Sequence, residues 1–141
     1  MKRIINTMLV VVSILMLSGC KDDKEEDMIM DEANIYGVWK MTLIDGDYKD
    51  VNFLYFQKGG RLVVANTEYK NGIKLQENVK ELNWQLDFTS LFIYYADDIN
   101  MVGINRLTNK TLEIFDGWTL RVNTYYKSSY SEIKPYIEKY L

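Results

Sequence analysis

The sequence of 141 residues contains no histidine, one cysteine and one proline. Without histidine, a Ser-His-Asp triad, a Cys-His pair and the zinc sites that use histidine are all excluded. A single cysteine excludes a disulfide within the chain and a metal site made of several cysteines. The folded part of the chain must therefore be stabilised by its hydrophobic core, without help from covalent cross-links.

Carboxylates are the groups that remain for acid–base catalysis. Glycosidases work with a pair of them, and the candidates in this chain are Asp87, Glu113 and Asp116. No spacing pairs these residues, and Asp87 falls on the polar face of its predicted strand. We therefore expect no catalytic residue, no cofactor and no enzymatic activity.

Short polar motifs in the chain predict turns. Asp45-Gly46-Asp47, followed by Asp50, places oxygen ligands at alternate positions, as a calcium loop does. The later glycine and the closing glutamate of such a loop are missing, and the same residue types favour a turn between two strands. Asp97-Asp98 has the same interpretation, and the sequon at Asn109-Lys110-Thr111 is predicted to be a hairpin turn. We expect no metal ion.

The charge of the chain is concentrated near its N-terminal part. All 20 acidic residues follow Cys20, and the segment from Lys21 to Glu32 has seven of them against two lysines. Such a run predicts a solvated, disordered segment. The chain from Ala33 onward has as many basic as acidic residues and no basic stripe, so nucleic acid is not an expected partner.

The first 19 residues have the pattern of a secretory signal peptide. Lys2 and Arg3 are followed by an apolar run from Met8 to Leu17 that only Ser13 interrupts. This run is shorter than the roughly 20 residues that cross a bilayer, but it suits the hydrophobic region of a signal peptide.

Leu17-Ser18-Gly19-Cys20, at the end of that run, resembles the lipobox of bacterial lipoproteins. The resemblance implies that Cys20 is lipidated on its sulfur, becomes the mature N-terminus and carries acyl chains such as palmitate. Anchoring of this kind takes more than one acyl chain. We expect three parts: a signal peptide (1–19), an acidic tether (20–33) and a folded domain (34–141).

The acidic tether has two interpretations of equal weight. It resembles the tag that directs lipoproteins to the cell surface in some Gram-negative bacteria, and it also suits a plain hydrophilic spacer. With the lipobox, we expect an outer-membrane lipoprotein in the envelope of a Gram-negative bacterium. The first interpretation exposes the domain at the surface.

Strand patterns dominate the rest of the chain. From Glu81 to Phe88, apolar and polar residues alternate without a break. About eight such strands with short links, among them turns at Lys58-Gly59-Gly60 and Asn71-Gly72, predict an antiparallel up-and-down β-barrel. An open half-barrel and a flattened sandwich fit the same pattern.

The last residues predict a short helix. Ser129 and Glu132 have the spacing of a capping box, but a helix that begins there contains Pro135. A start near Lys134 places that proline in the first turn, where it is tolerated. Ile133, Ile137 and Leu141 then lie on one side, to cover a barrel end or the barrel wall.

Gly37-Val38-Trp39 on the first predicted strand resembles the Gly-x-Trp signature of lipocalins. The segment from Ile35 to Lys127 is similar to the lipocalin-like domains of small bacterial lipoproteins. The resemblance implies that Trp39 lies at the barrel floor beneath Arg121 of the last strand, in a cation–π contact. It also implies a non-catalytic protein that binds a small apolar or amphipathic ligand in the barrel mouth.

Aromatic residues are the candidates for contacts with that ligand. We expect the ligand-binding site to be lined by Phe53, Tyr55, Trp84, Tyr95 and Trp118. The alternative is a surface interaction module that binds a glycan or another envelope protein through exposed tyrosines. Neighbours on a strand face opposite ways, so one member of each pair, Tyr94-Tyr95 and Tyr125-Tyr126, is expected to face away from the core.

Overall fold

The structure is a computed structural model that describes residues 24–117 and 119–141; the predicted signal peptide, Cys20 and Trp118 lie outside these ranges. In the described residues, eight antiparallel strands follow one another around a closed barrel. This confirms the predicted all-β barrel, with its C-terminal helix, over the half-barrel and the sandwich. The elements are α1 (Glu32–Ile35), β1 (Gly37–Asp45), β2 (Tyr48–Phe56), β3 (Arg61–Lys70), β4 (Ile73–Asp87), β5 (Ser90–Tyr94), β6 (Ile99–Leu107), β7 (Thr111–Asp116), β8 (Arg121–Lys127) and α2 (Tyr130–Tyr140).

The predicted hairpin turns are confirmed. Asn71 and Gly72 join β3 to β4 with φ angles of 51° and 75°. Both residues are left-handed, as a type I′ turn requires, and Asn-Gly is the pair that adopts it at least cost. Gly46 and Asp47 likewise form the turn between β1 and β2.

Strand β4 is longer than the alternating pattern predicted. It pairs with β3 from Ile73 to Asn83, but with β5 only from Asn83 to Asp87. Phe88, which alternation placed on the apolar face, lies in the β4–β5 turn with φ 52° and is 87% exposed. The prediction for Phe88 was wrong because the strand ends one residue before it.

The barrel closes at one end only. Strands β1 and β8 pair at Trp39 with Lys127 and at Lys40 with Tyr126. The backbone N–H of Ser128 adds a hydrogen bond of 2.8 Å to the carbonyl of Val38. We call this end the floor, and the opposite end, where β1 turns into β2 and β3 into β4, the open end.

Two hydrophobic cores lie on the two sides of the sheet. The inner core fills the floor half of the barrel, and the outer core lies between the outward face of β1–β4 and α2. The buried members of the inner core are Ile35, Trp39, Leu54, Phe56, Leu62, Trp84, Leu91, Ile93, Val102, Ile104, Leu107, Leu112 and Ile114. Those of the outer core are Val38, Val51, Phe53, Val63, Ala65 and Ile133.

Of the two predicted starts, helix α2 takes the earlier one. Its N-cap is Ser129, and Pro135 lies inside the helix. The earlier start places Ile133 in the outer core, where its side chain is fully buried, and this burial offsets the hydrogen bond that proline removes. Of the two expected positions, the helix takes the one on the barrel wall, and Leu141 stays 52% exposed.

The floor is covered by α1 and the side chain of Trp39. Trp39 is 1% exposed, and its indole N–H donates a hydrogen bond of 2.8 Å to the carbonyl oxygen of Ile35. Ile35 is itself fully buried in the inner core. The short helix therefore plugs the floor, and the indole both packs and satisfies its only polar group.

The cation over Trp39 is Lys127, not Arg121. The Lys127 ammonium lies 4.4 Å from the centre of the indole ring and donates a hydrogen bond of 2.8 Å to the carbonyl of Tyr36. Arg121 pairs with Asp116 at the other end of β8. The expected contact was wrong in its partner because the strand register brings the last residue of β8, rather than its first, beside Trp39.

Gly37 of the Gly-x-Trp motif is required by its backbone and its surroundings. Its φ angle is 115°, and a Cβ atom on it would lie 2.7 Å from the Lys127 ammonium nitrogen. Any other residue is therefore strained there and also displaces the cation from its place over Trp39.

Part of the predicted tether is bonded to the barrel. Asp27 forms a β-bridge with Thr108, and the Thr108 hydroxyl donates a hydrogen bond of 2.6 Å to the Glu25 carboxylate. The Asn109 backbone N–H donates to the carbonyl of Glu26 at 3.0 Å. The acidic composition predicted disorder, but from Glu25 to Asp27 the β6–β7 turn supplies donors that hold the segment at the floor.

Candidate functional site

The inward face of the barrel changes from apolar to polar partway to the open end. On β2 to β8, a residue of the inner core is followed, two positions nearer the open end, by a polar residue or a tyrosine. On β1, Met41 is followed by Leu43 instead. We call this set the upper ring: Asn52, Asn66, Lys80, Tyr95, Asn100, Asp116 and Asn123.

Below the upper ring, side chains fill the interior. Trp84 packs edge-on against Phe56, with ring centres 5.1 Å apart, and against Tyr36 at 5.9 Å. Its indole N–H donates to the carbonyl oxygens of Gln57 and Arg61, at 3.3 and 3.1 Å. The floor half is thus a packed core, as in other small barrels.

Two amides of the upper ring are held in a fixed arrangement. The side-chain NH₂ of Asn66 donates to the Asp50 carboxylate at 2.7 Å and to the amide oxygen of Asn52 at 2.6 Å. These residues are half-buried and lie across from one another on β2 and β3. Both NH₂ hydrogens of Asn66 are used in these bonds. The amide oxygen of Asn66 and the NH₂ group of Asn52 therefore remain available for other hydrogen bonds.

Tyr125 contributes a phenol to the same interior. It packs against the inner core, and burial raises the pKa of its hydroxyl to about 12, with smaller contributions from Asp50 and Tyr95. The hydroxyl therefore stays protonated in neutral solution and remains a hydrogen-bond donor. Within the described residues it has no hydrogen-bond partner.

A cleft of about 830 Å³ opens beside the upper ring. It lies where β4 runs on past β5, so that Lys80 and Leu82 face the turn that joins β5 to β6. Tyr95 and Asn100 line the other side, and Tyr95 is 41% exposed. The volume is within the range of small-molecule sites, about 300–1,000 Å³.

The structure separates the five residues that were expected to line a ligand. Phe53 and Tyr55 point outward on β2 and pack under α2, against Tyr136 and Tyr130, with ring centres 5.7 and 5.6 Å apart. That expectation was wrong for both. Every residue from Val51 to Phe56 except Asn52 is apolar or aromatic, so alternation alone did not tell the inside of the barrel from its outer core.

The other three expected residues have different positions. Trp84 lies inside the barrel, but it is buried in the floor and 5% exposed. Tyr95 lines the cleft. Trp118 lies outside the described residues. The structure thus brings only Tyr95 of the described candidates to the open interior.

The asparagines of the upper ring were not among the residues expected to line a ligand. Asparagine is disfavoured in strands, yet Asn52, Asn66, Asn100 and Asn123 all lie within predicted strands. Each of them is two positions from an apolar residue that faces the core. An asparagine inside a predicted strand, two positions from a core residue, is therefore the sequence pattern that indicated this site.

Within residues 24–117 and 119–141, no helix packs on the outward face of β5–β8, in contrast to the outward face of β1–β4. Met101 is 58% exposed, Val122 49% and Tyr126 61%. Tyr125 faces inward and Tyr126 outward, as their adjacency predicted. A platform centred on Tyr125 is therefore excluded, whereas Tyr94 faces out with its hydroxyl bonded to Gln85.

No family model matches this chain, and no curated protein or solved structure matches it either. Among the described residues, no group of three or more acidic or cysteine side chains is arranged to hold a metal ion. Neither helix in residues 24–117 and 119–141 has the length and apolar character needed to cross a bilayer.

Proposed function

We propose that this protein is a lipid-anchored, lipocalin-like binding protein in the outer envelope of a Gram-negative bacterium. It holds a small amphipathic ligand at the open end of the barrel and catalyses no reaction. The observation that supports this most directly is the upper ring of polar groups above a closed apolar floor, reached through a cleft of about 830 Å³.

The position of the tether supports a defined orientation of the barrel. Asn109 donates a hydrogen bond of 3.4 Å to the carbonyl of Lys24, at the floor. Three residues lie between Cys20 and Lys24, so the two Cα atoms are four steps along the chain and at most about 14 Å apart. A lipid on Cys20 then keeps the floor near the membrane, and the upper ring faces away from it.

Native mass spectrometry of the full chain, purified from the envelope of its own host, tests the ligand. We expect a second species heavier than the lipidated chain by the mass of a small molecule. Asn100→Trp, which fills the cleft, should abolish this species, and Met101→Trp, on the outward face of the same strand, should keep it. A chain that carries only its lipid, in every preparation, contradicts the proposal.

A second candidate function is suggested by the exposed face of β5–β8. Met101, Val122 and Tyr126 form an apolar surface that suits a contact with another envelope protein. Cross-linking in host membranes distinguishes the two functions. A protein–protein product that Val122→Lys removes and Asn100→Trp retains supports the second, and its absence from the parent protein argues against it.

A further inference from the structure

We infer that the part of the ligand recognised by the upper ring is an uncharged carbohydrate. This inference rests on the proposed function and narrows its ligand class. Four of the seven residues of the upper ring are asparagines: Asn52, Asn66, Asn100 and Asn123. Each amide presents both donors and acceptors, and each sugar hydroxyl also both donates and accepts, so the two groups match.

Most of this hydrogen-bonding capacity is unused by the protein. Within the described residues, the side chains of Asn100 and Asn123 make no hydrogen bond. Asn66 uses only its NH₂ group, which donates to Asp50 and to Asn52. Asn52 uses only its oxygen, which accepts from Asn66. All four are half-buried, so their free groups face the interior of the barrel and the solvent within it.

The contact with Asp50 fixes the direction of two of these amides. Because Asn66 donates to Asp50 at 2.7 Å, its oxygen cannot exchange places with its nitrogen without facing a carboxylate. Asn52 accepts from the same NH₂ group and is oriented in turn. A ligand thus meets a preset acceptor on Asn66 and a preset donor on Asn52, with little ordering left to do on binding.

The charges around the upper ring favour a neutral ligand. Lys80 belongs to the ring and Arg121 follows Asn123 on the same face of β8, while Asp50, Glu68 and Asp116 face the same interior. Asp116 pairs with Arg121 across β7 and β8. Three carboxylates against two cations repel an anionic ligand. A cationic ligand gains little, because Asp50 already accepts a hydrogen bond from Asn66 and Asp116 lies beside Arg121.

Aromatic and phenolic groups complete the match. Tyr95 is 41% exposed in the cleft and offers a ring face on which the C–H side of a sugar packs. Tyr125 adds an unpartnered phenol inside the barrel. A long acyl chain fits less well, because the apolar half of the interior is occupied by Trp84, Phe56 and their neighbours.

Titration of the full chain in lipid nanodiscs tests the inference with named probes. The neutral probes are maltotriose, cellotriose and triacetylchitotriose; trigalacturonate and the chitosan trimer are the charged ones. We expect at least one neutral trisaccharide to bind with a Kd below about 1 mM, an affinity typical of a few hydrogen bonds and one stacking contact. Each charged trimer should bind at least about tenfold more weakly than the best neutral one.

Variants locate the binding within the upper ring. Asn52→Leu and Asn66→Leu keep the side-chain size and remove the amide, and each should weaken trisaccharide binding about tenfold or more, since it leaves a hydroxyl unpaired. Asn66→Ser is a second variant that removes the amide without adding a charge beside Asp50, and it should weaken binding in the same way. Asn105→Leu, on the exposed side of β6, is the control and should bind as the parent does. Thermal unfolding shows that each variant is folded.

Three results overturn the inference. They are binding of the charged trimers alone, binding that Asn52→Leu and Asn66→Leu leave unchanged, and no binding of any trisaccharide. The mass of the retained ligand separates this failure from that of the proposed function. A retained molecule without a sugar overturns only the inference, whereas a chain that retains no molecule and binds no probe overturns both.

Discussion

At the scale of single residues, the Gly37-Val38-Trp39 motif works through a partner that the sequence did not reveal. Lys127 lies over the indole of Trp39, and Gly37 leaves the space that the ammonium group occupies. Burial lowers the pKa of Lys127, yet its hydrogen bond to the Tyr36 carbonyl and the ring face keep the cation in place. The floor therefore depends on one cation at the last position of β8.

Replacement of Lys127 by methionine should destabilise the barrel. The variant keeps the length of the side chain but loses the cation–π contact and one hydrogen bond, together worth about 1–2 kcal/mol. Arg121→Met is the matched control and should cost less than about 0.5 kcal/mol, since Arg121 is an exposed residue far from Trp39. Urea unfolding measures both, and a larger loss for Arg121→Met would refute the assignment.

At the scale of elements, α2 covers one half of the outward face of the barrel. Its Ile133 is fully buried, and the Thr67 hydroxyl on β3 donates a hydrogen bond of 3.1 Å to the hydroxyl of Tyr136. Lys40 on β1 and Glu132 form an ion pair of 2.9 Å at the N-terminal end of the helix. The helix is therefore attached to the barrel along its length and covers the outward face of β1–β4.

Ile133→Ala should be the most damaging single truncation in α2. Removal of a fully buried side chain leaves a cavity in the outer core and should lower the free energy of unfolding by about 2–4 kcal/mol. Ile44→Ala removes the same atoms from a residue that is 73% exposed and should cost less than about 1 kcal/mol. Equal losses in thermal unfolding would show that α2 is not part of the core.

Glu77 connects the C-terminal end of α2 to β4. Its carboxylate accepts hydrogen bonds from Lys139 at 2.8 Å, Tyr140 at 2.6 Å and Lys74 at 3.0 Å. These donors, Lys139 first, lower its pKa from 4.5 to about 2. The carboxylate thus stabilises the folded state fully above about pH 4.5.

Acid titration of stability tests this connection. Because the folded pKa lies below the unfolded one, the contribution of Glu77 should fall between about pH 4.5 and 2. Solvent screening of this surface cluster limits the contribution to about 1 kcal/mol. In Glu77→Gln, this part of the fall in the free energy of unfolding with decreasing pH should be absent. Glu138→Gln, which loses one ion pair of 3.5 Å to Lys134, should keep it. An unchanged slope in Glu77→Gln would contradict the assignment.

At the scale of the whole molecule, closure at the floor combined with separation at the open end produces the candidate site. The strands β1 and β8 pair at two positions, and β5 follows β4 over only part of its length. The barrel therefore opens toward the end that faces away from Lys24. The proposed lipid anchor and the proposed ligand site then lie at opposite ends, and the two functions should be separable by mutation.

Cys20→Ala should release the protein from membranes without changing the fold. Its thiol is the proposed site of lipid attachment, and Cys20 precedes all eight strands of the barrel. Fractionation of host cells measures the release, and circular dichroism checks the barrel. Val102→Ala, a change in the inner core, is the control for general damage and should stay in the membrane fraction. Persistent membrane association of Cys20→Ala would contradict the anchor.

Sequence patterns were sufficient to predict the strands and most turns, but not which face of each strand points into the barrel. Period-two alternation and turn residues such as Asn71-Gly72 are local, so the barrel class and its hairpins were predictable. Phe53 was misplaced because a strand with α2 on its outer side is apolar on both faces. The candidate site was missed for a related reason, since its four asparagines lie on four separate strands, β2, β3, β6 and β8, and meet only in the closed barrel.

The sequence by itself determined the succession of strands, the acidic character of the tether and the exclusion of histidine-based and disulfide chemistry, because these follow from composition and local spacing. Only the tertiary structure decided which face of each strand points inward, that Lys127 and not Arg121 covers Trp39, and that the upper ring forms. Those features depend on the register between strands distant in sequence, and that register results from packing the whole barrel.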